Sequence, residues 1–258
     1  MQDNKNNHEN KIKDVIYDEP LQSANALFKF MREYDFLETI IERMRFTPRY
    51  NDEDISFLNL EYKFFSIPIV CFCDVPLNKL EKHIARYGGY GIAMTKEWGK
   101  RNKLQKIIYL TQESILNNSI VNCYKKRFSE TIDDNSDLNG DLLISIFKYI
   151  KPINGIQNNQ YIYYPDDCEW RYVPVIEDDE IPEIIPLKEK LEEEIEKLNI
   201  AINNHGSQIC LSFNEEDIKY IIVPEYDDFK KMLSFLQRNN KENLISKILV
   251  WKQIKEDL

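Results

Sequence analysis

The fold is decided by residues 64–99, whose sequence is FFSIPIVCFCDVPLNKLEKHIARYGGYGIAMTKEWG. The stretch opens with β-branched and aromatic residues that carry little charge, which predicts a strand buried on both faces and interrupted at Pro68. Pro76 suits the first turn of a helix over 77–88, because its ring fixes φ near the helical value and it has no N–H to leave unpaired. A second strand is expected at 90–94.

The rest of the chain alternates helical and strand patterns without a regular repeat. Strands are expected at 106–110, 170–176, 208–213, 220–224 and 245–254, with a short strand or turn at 27–30. Helices are expected at 36–45, 112–150 with a polar break at 133–141, 186–202, 215–220 and 225–239, with a turn or short helix at 96–102. This mixture predicts an α+β fold with a mixed, largely antiparallel sheet and flanking helices.

The chain of 258 residues is expected to hold one folded domain behind a short arm. Residues 1–20 are polar and rich in Asn and Lys, which predicts a flexible N-terminal arm. Residues 21–258 are expected to form a single α+β domain, because hydrophobic residues make up 43% of the chain and suffice for a core. Within it, 27–174 hold the polar motifs and 175–258 form a C-terminal extension.

The charge balance and hydropathy bound the classes of partner. A formal net charge of -10 argues against a broad grip on nucleic acid, since such binding neutralises phosphates with Lys and Arg. Nucleic acid is therefore expected only as a substrate. No apolar run approaches the roughly 18 to 20 residues that span a bilayer, and the first residues are too polar for a signal peptide. We expect no membrane partner and a cytoplasmic location.

The cysteines favour a reducing compartment. The five are scattered, and only Cys71 and Cys73 lie close together. Alternate strand residues share a face, so these two could be neighbours, but a second pair of ligands is missing and the chain has three His. We expect no metal site and reduced, mostly buried thiols.

Familiar catalytic signatures, such as the phosphate-binding loop and the H-E-x-x-H motif, are missing from the sequence. Polar residues set beside apolar strands remain as candidates. In FTPRY, residues 46–50, Pro48 fixes the backbone before Arg49, which could bind an anion or bond carbonyls at a helix end. We count Arg49 and Tyr50 as candidate binding residues. Asp74 follows the buried strand, where it could bind a ligand or cap the next helix, and capping is favoured.

A third group surrounds a glycine-rich turn. His83 and Tyr87 are four residues apart and share a helix face. The glycines between 88 and 91 could let a backbone approach a ligand, or could simply stop the helix. His83, Tyr87 and Tyr90 are candidate binding residues.

The fourth group is DDCEWRYV, residues 166–173. Glu169 and Arg171 are two apart and therefore lie on one face of a strand. A Glu held ionised beside an Arg can hydrogen-bond a ribose hydroxyl or stabilise a developing cation, and it can equally be a structural ion pair. Glu169 is the candidate catalytic residue and Arg171 a candidate binding residue.

FTPRY, the block at 67–99 and EWRYVP at 169–174, taken in this order, resemble the AbiGi family of abortive-infection phage-resistance proteins. The resemblance runs from about Leu27 to Pro174, and Met94 stands where the family pattern has Leu. It implies a role in bacterial defence against phage. The AbiGi-like member of the two-gene system is usually labelled the antitoxin, beside a nucleotidyltransferase-like toxin, which implies a binding protein with a cognate toxin as partner.

The layout is also similar to a divergent ADP-ribosyltransferase, which implies NAD as a substrate. That similarity would give Glu169 the catalytic role beside the ribose, Lys29 or Arg49 the phosphates or ribose, and Tyr87 or Tyr90 the nicotinamide. The segment LFKF at 27–30 lacks the His or Arg expected in the first motif.

Three hypotheses follow from these resemblances. The chain is a phage-defence enzyme that uses NAD to modify nucleic acid or protein, a non-catalytic antitoxin, or a scaffold that senses a phage component.

Overall fold

The computed structural model describes residues 23–127, 137–157, 160–176, 181–204 and 208–256. The arm predicted at 1–20 lies outside the described residues. Among the described residues, no helix combines the length and the apolar character that crossing a bilayer requires.

The strands are short except for one. They are Ala26–Met31 (β1), Arg45–Phe46 (β2), Arg49–Asp54 (β3), Phe64–Cys73 (β4), Tyr90–Thr95 (β5), Gln105–Lys106 (β6), Ile108–Leu110 (β7), Ile150–Pro152 (β8), Asn154–Gln157 (β9), Gln160–Tyr163 (β10), Glu169–Tyr172 (β11), Ile185–Leu187 (β12), Leu211–Ser212 (β13), Ile218–Val223 (β14) and Ile248–Val250 (β15).

The α-helices and 3₁₀ turns alternate with these strands. The helices are Tyr34–Arg43 (α1), Glu81–Tyr87 (α2), Lys96–Arg101 (α3), Ile115–Arg127 (α4), Asp137–Phe147 (α5), Glu192–Asn204 (α6), Tyr226–Arg238 (α7) and Trp251–Ile254 (α8). The 3₁₀ turns are Ser56–Leu58, Leu77–Lys79, Tyr164–Asp167, Glu215–Asp217 and Glu242–Lys247.

The main sheet runs in the order β15-β14-β5-β1-β4-β11-β6, with β3 and β12 also paired to β4. Its pairs are antiparallel except for β14 and β15, which are parallel. The predicted α+β class with a largely antiparallel sheet is therefore confirmed. The C-terminal extension is part of this architecture, because β14 pairs with β5 in the same sheet.

The long strand β4 organises the sheet because its two halves have different neighbours. The first half, from Phe64, pairs with β3 and β12, and the second half, to Cys73, pairs with β11 and β1. β1 meets β4 at the pair Phe28 and Cys73. The residues beyond that pair, Lys29 on β1 and Cys71 on β4, line a cleft.

One face of the sheet packs on an apolar core rich in aromatic rings. The rings of Phe46 and Phe72 lie 5.1 Å apart and those of Phe72 and Trp98 lie 5.4 Å apart. The Trp98 indole N–H donates to the carbonyl of Ser212 at 3.1 Å, so its polar atom is satisfied inside the core. Edge-to-face rings at these distances stabilise the fold beyond the burial of their area.

The sequence located most elements and misjudged several boundaries. The strand at 64–73 was predicted correctly, whereas the helix predicted at 77–88 is a 3₁₀ turn followed by α2. The predicted strand at 106–110 is split between β6 and β7. The strand predicted at 245–254 was wrong at both ends, because a 3₁₀ turn precedes β15 and α8 begins at Trp251.

Candidate functional site

A cleft of about 720 Å³ opens on the face of the sheet opposite the Phe72–Trp98 core. Its floor is built by β1, β4 and β11, and its walls by β3, α2 and α6, with Lys151 and Ile156 from β8 and β9. Six of the candidate residues line it: Lys29, Arg49, Tyr50, His83, Tyr87 and Glu169. Segments distant in sequence therefore meet at one place.

Glu169 belongs to a buried cluster of four charges, with Glu53, Lys151 and Arg171. Its Oε1 accepts hydrogen bonds from Arg171 Nε at 3.0 Å and from Arg171 Nη2 at 2.8 Å. Its Oε2 accepts from Lys151 Nζ at 2.7 Å. Glu53 completes the cluster at 3.1 Å from Arg171 and 3.5 Å from Lys151. The strand-face prediction for Glu169 and Arg171 is confirmed.

The cluster is formed by the side chains of two acidic and two basic residues. Burial alone would raise the pKa of Glu169, but Arg171 and Lys151 hold it well below its ordinary value. The same carboxylates raise the pKa of Lys151, and Glu53 with Glu169 raises the pKa of Arg171, against the effect of burial. Arg171 is 0% exposed and also donates to the carbonyl of Lys148, so it lies behind the cleft wall.

A second polar group lies beside the first, centred on Asp167. Tyr87 donates to Asp167 Oδ2 at 3.0 Å, and Arg86 donates to Oδ1 at 3.1 Å. His83 Nδ1 lies 3.3 Å from the same carboxylate. Burial and the nearby charge of Asp167 raise the pKa of Tyr87, so this phenol stays protonated and acts as a donor.

The helix that carries His83 and Tyr87 ends in the way the glycines predicted. The two rings lie 4.4 Å apart on one helix face, as their spacing indicated. Gly88 adopts φ 119° and its N–H donates to the carbonyl of Ile84, and a side chain there would collide with the carbonyl of Met31. Only glycine fits this stop without strain, which favours the structural explanation for Gly88.

Lys29 is the lysine of the cleft floor. Burial lowers the pKa of its amine, and the nearby Cys71 and Glu169 oppose that effect. Lys29 forms no ion pair with another residue of the described part of the chain. Cys71 shares this floor, and burial with Glu169 nearby raises the pKa of its thiol to about 12, so it stays protonated.

Arg49 and Tyr50 fix α6 against the cleft wall. Arg49 begins β3 and donates to Glu196 on α6 at 2.8 Å, so it is not bound to carbonyls at a helix end. The Tyr50 N–H donates to Asn199 at 2.8 Å, and its hydroxyl donates to the carbonyl of Pro182. Both residues thus have protein partners on the side of the cleft formed by α6.

Asp74 and Tyr90 do not line the cleft. Asp74 is fully buried, 2.9 Å from Lys96, and accepts from the Trp170 indole at 3.1 Å. The predicted helix cap at Asp74 was wrong, because the following 3₁₀ turn begins after Pro76 and has no side-chain cap. Tyr90 points to the other face of the sheet and donates to Asp228 at 3.0 Å. Burial and this hydrogen bond raise the pKa of Tyr90 to about 12.

Three residues of the site were not found from the sequence: Glu53, Lys151 and Asp167. Glu53 sits in the polar strand RYNDED, whose pairing with β4 brings it beside Arg171. Lys151 comes from β8, which pairs with β7 and not with the main sheet. Asp167 lies two residues before Glu169, in the polar segment 166–173. The acidic pair Asp166 and Asp167 is the sequence feature that could have indicated its role.

The arrangement can bind and orient polar groups. Tyr87 is protonated, and the amine of Lys29 forms no ion pair within the described part of the chain. Glu169 is ionised between Lys151 and Arg171. Within the described residues, no group of three or more His, Cys, Asp or Glu is placed to hold a metal ion.

Comparison with known proteins places this chain in a family. A family model described as "Putative abortive phage resistance protein AbiGi, antitoxin" matches residues 44–224, which extends the similarity well past Pro174. The abortive phage resistance protein AbiGi of Lactococcus lactis subsp. cremoris is 32% identical over 255 residues, covering 83% of this chain and 100% of the relative. No solved structure matches, and the comparisons give no support to an ADP-ribosyltransferase-like fold. The chain belongs to the AbiGi family of abortive phage resistance proteins.

Proposed function

We propose that this chain is the antitoxin of an abortive-infection system and acts by binding a toxin protein. The observation that carries the proposal is the state of Glu169, the residue best suited to catalysis. Both of its oxygens are occupied, by Arg171 at 2.8 Å and Lys151 at 2.7 Å. Arg171 and Lys151 hold this carboxylate in place, and a cluster of this kind gives the cleft a rigid wall that suits a binding protein.

The family description and the charge of the chain support the same proposal. The family model that matches residues 44–224 is described as an antitoxin. The formal charge of -10 suits a partner that carries a basic surface, because opposite potentials speed association and orient the two proteins.

The test is a binding measurement between purified proteins. This chain should form a stable complex with the toxin of its system, with a defined stoichiometry by light scattering, and should inhibit the toxin in proportion to occupancy. A Glu169→Gln variant that remains folded should still bind, since the proposal assigns Glu169 no chemical step. Failure of the wild-type chain to bind the toxin would contradict the proposal.

A second function is favoured by one specific observation: Glu169, Tyr87 and Lys29 line the same cleft. A carboxylate kept ionised by Arg171 and Lys151 can stabilise the oxocarbenium-like ribose formed when NAD loses nicotinamide. Lys29 would attract the pyrophosphate and Tyr87 would hydrogen-bond or stack. In this second proposal the chain transfers ADP-ribose to nucleic acid or protein.

Labelled NAD distinguishes the two proposals. The purified chain and its Glu169→Gln variant are incubated with labelled NAD and cell lysate, and released nicotinamide and transferred label are measured. Turnover that disappears in the variant would establish the enzyme. Lack of turnover in a folded wild-type chain that binds its toxin would reject the NAD proposal and keep the antitoxin.

A further inference from the structure

The β9–β10 hairpin presents an apolar face to solvent. Tyr161 and Ile156 are directly paired across the two strands and therefore share a face, and Tyr163 joins them because it is two residues from Tyr161. Their exposed fractions are 77% for Ile156, 73% for Tyr161 and 49% for Tyr163. The opposite face is anchored, since Ile162 is 3% exposed and Gly155 lies against the ring of Tyr164.

This arrangement indicates a binding surface. Single exposed apolar residues are ordinary, but three large ones aligned on one face of a two-stranded ribbon form a contiguous patch. Tyrosines are also common anchors in interfaces, because the ring buries area at low entropic cost while the hydroxyl keeps a hydrogen bond.

The patch is continuous with the cleft, because Ile156 also lines it. At the solvent-exposed mouth of this cleft, Asp54 and Glu192 form no ion pair with a described Lys, Arg or His, and Lys190 in the same lining forms none with a described carboxylate. Asp52 Oδ1 is buried and has no hydrogen-bond donor among the described residues. Buried polar atoms are normally satisfied, so Asp52 is an exception within the cleft wall.

The contrast with the cleft floor makes the charge pattern informative. On the floor, Glu53 and Glu169 are balanced by Lys151 and Arg171 within 3.5 Å. At the mouth Asp54 and Glu192 are unpaired, Lys190 offsets part of their charge, and Ile156 belongs to the same lining. A surface of this kind complements a segment in which Lys or Arg alternate with apolar residues.

We propose that the outer face of the β9–β10 hairpin and the carboxylates at the cleft mouth dock a basic, partly apolar segment of the toxin. This rests on the proposed antitoxin function and specifies its surface. Apolar side chains of the segment pack on Ile156, Tyr161 and Tyr163, while its cations pair with Asp54 and Glu192.

Two target variants and two matched controls test the surface. The apolar target is Tyr161→Ser with Tyr163→Ser, and its control is Phe36→Ser with Tyr226→Ser, two exposed rings elsewhere. The charge target is Asp54→Lys with Glu192→Lys, and its control is Glu42→Lys with Glu97→Lys, exposed residues on other helices. Circular dichroism and thermal melting establish that each variant is folded.

The affinity of each chain for the purified toxin is measured by calorimetry at low and high salt. Each target variant should raise Kd at least about tenfold, and the charge target should also weaken the salt dependence. The control variants should stay within about threefold of wild type. Target variants that bind as tightly as wild type would overturn the inference while leaving the antitoxin function standing.

Two further outcomes also decide against it. If the wild-type chain does not bind the toxin, both the antitoxin proposal and the proposed docking surface are wrong. If light scattering shows a dimer of this chain that the apolar target converts to a monomer, with toxin affinity unchanged, the hairpin face binds a second copy and the inference is overturned.

Discussion

Strand β11 separates two regions of opposite character within four residues. Glu169 and Arg171 lie on the cleft side of the strand and join a cluster of four charges, whereas Trp170 and Tyr172 point to the other face and pack on the apolar core. Each face buries its central residue, since Glu169 is 7% exposed and the core residue Phe72 is 2% exposed. They differ in what holds them together.

The two faces should tolerate substitution to different degrees. An apolar core depends on volume and shape, so a substitution that keeps both costs little. A buried charge cluster depends on balance, so removing one member leaves an uncompensated charge in a medium that solvates it poorly. The charged face should therefore be the more fragile of the two, and the following substitutions probe that difference.

Arg171→Met has the largest expected effect. It removes the cation that contacts both Glu53 and Glu169 and leaves two buried carboxylates with Lys151 alone. We expect a loss of about 3–5 kcal/mol in the free energy of unfolding, measured by urea denaturation. Adding Glu53→Gln to the variant should recover part of the loss, because it restores the balance. A loss below about 1 kcal/mol would contradict the importance of charge balance.

Acid should weaken the charged face through Glu169. Its folded pKa lies well below the ordinary value of 4.5, so on acidification the unfolded chain takes up the proton first. The stabilisation is therefore present above about pH 4.5 and is lost as pH falls towards the folded pKa. Glu169→Gln should reduce the slope of unfolding free energy against pH in this window by up to about 1.4 kcal/mol per unit.

Arg171→Met should flatten the same slope, because it removes a cation that depresses the pKa of Glu169. An unchanged slope in both variants would show that Glu169 does not carry this acid sensitivity. The measurement is urea denaturation repeated at several pH values below 6.

Met94→Leu tests the apolar face. Met94 is fully buried in the core around Phe72 and Trp98, and leucine has a similar volume. The free energy of unfolding should fall by less than about 1.5 kcal/mol, with an unchanged dependence on urea. A loss as large as that of Arg171→Met would mean that the two faces do not differ in tolerance.

Arg49→Ala has the smallest expected effect and separates buried from exposed ion pairs. Arg49 and Glu196 lie 2.8 Å apart, but their side chains are 53% and 56% exposed. Water screens such a pair, so its removal should change stability by less than about 0.5 kcal/mol. A double-mutant cycle with Glu196→Ala isolates the pair, and a coupling energy above about 1 kcal/mol would contradict this distinction.

Much of the fold was predictable because local patterns decided it. The charge-free run ending at Cys73 predicted β4, and Gly88 predicted the end of α2, since both depend on neighbouring residues alone. Elements defined by distant pairing were harder to predict. The polar strand β3 carries no hydrophobic alternation, and its strand geometry comes from its register with β4.

The candidate site was predicted in part for the same reason. The shared strand face of Glu169 and Arg171 follows from their spacing. Their partners Glu53 and Lys151 come from β3 and β8, nearly a hundred residues apart in sequence, and only the tertiary structure brings them together. Asp74 shows the reverse case, because its local context favoured a cap while burial beside Lys96 gave it another role.

The most direct test of the antitoxin proposal is the growth of bacteria that express this chain alone, the toxin of its system alone, or both together. We expect that the chain alone leaves growth unchanged and that its co-expression restores growth arrested by the toxin. Growth arrest by the chain alone, relieved by Glu169→Gln, would contradict the account and favour an enzyme.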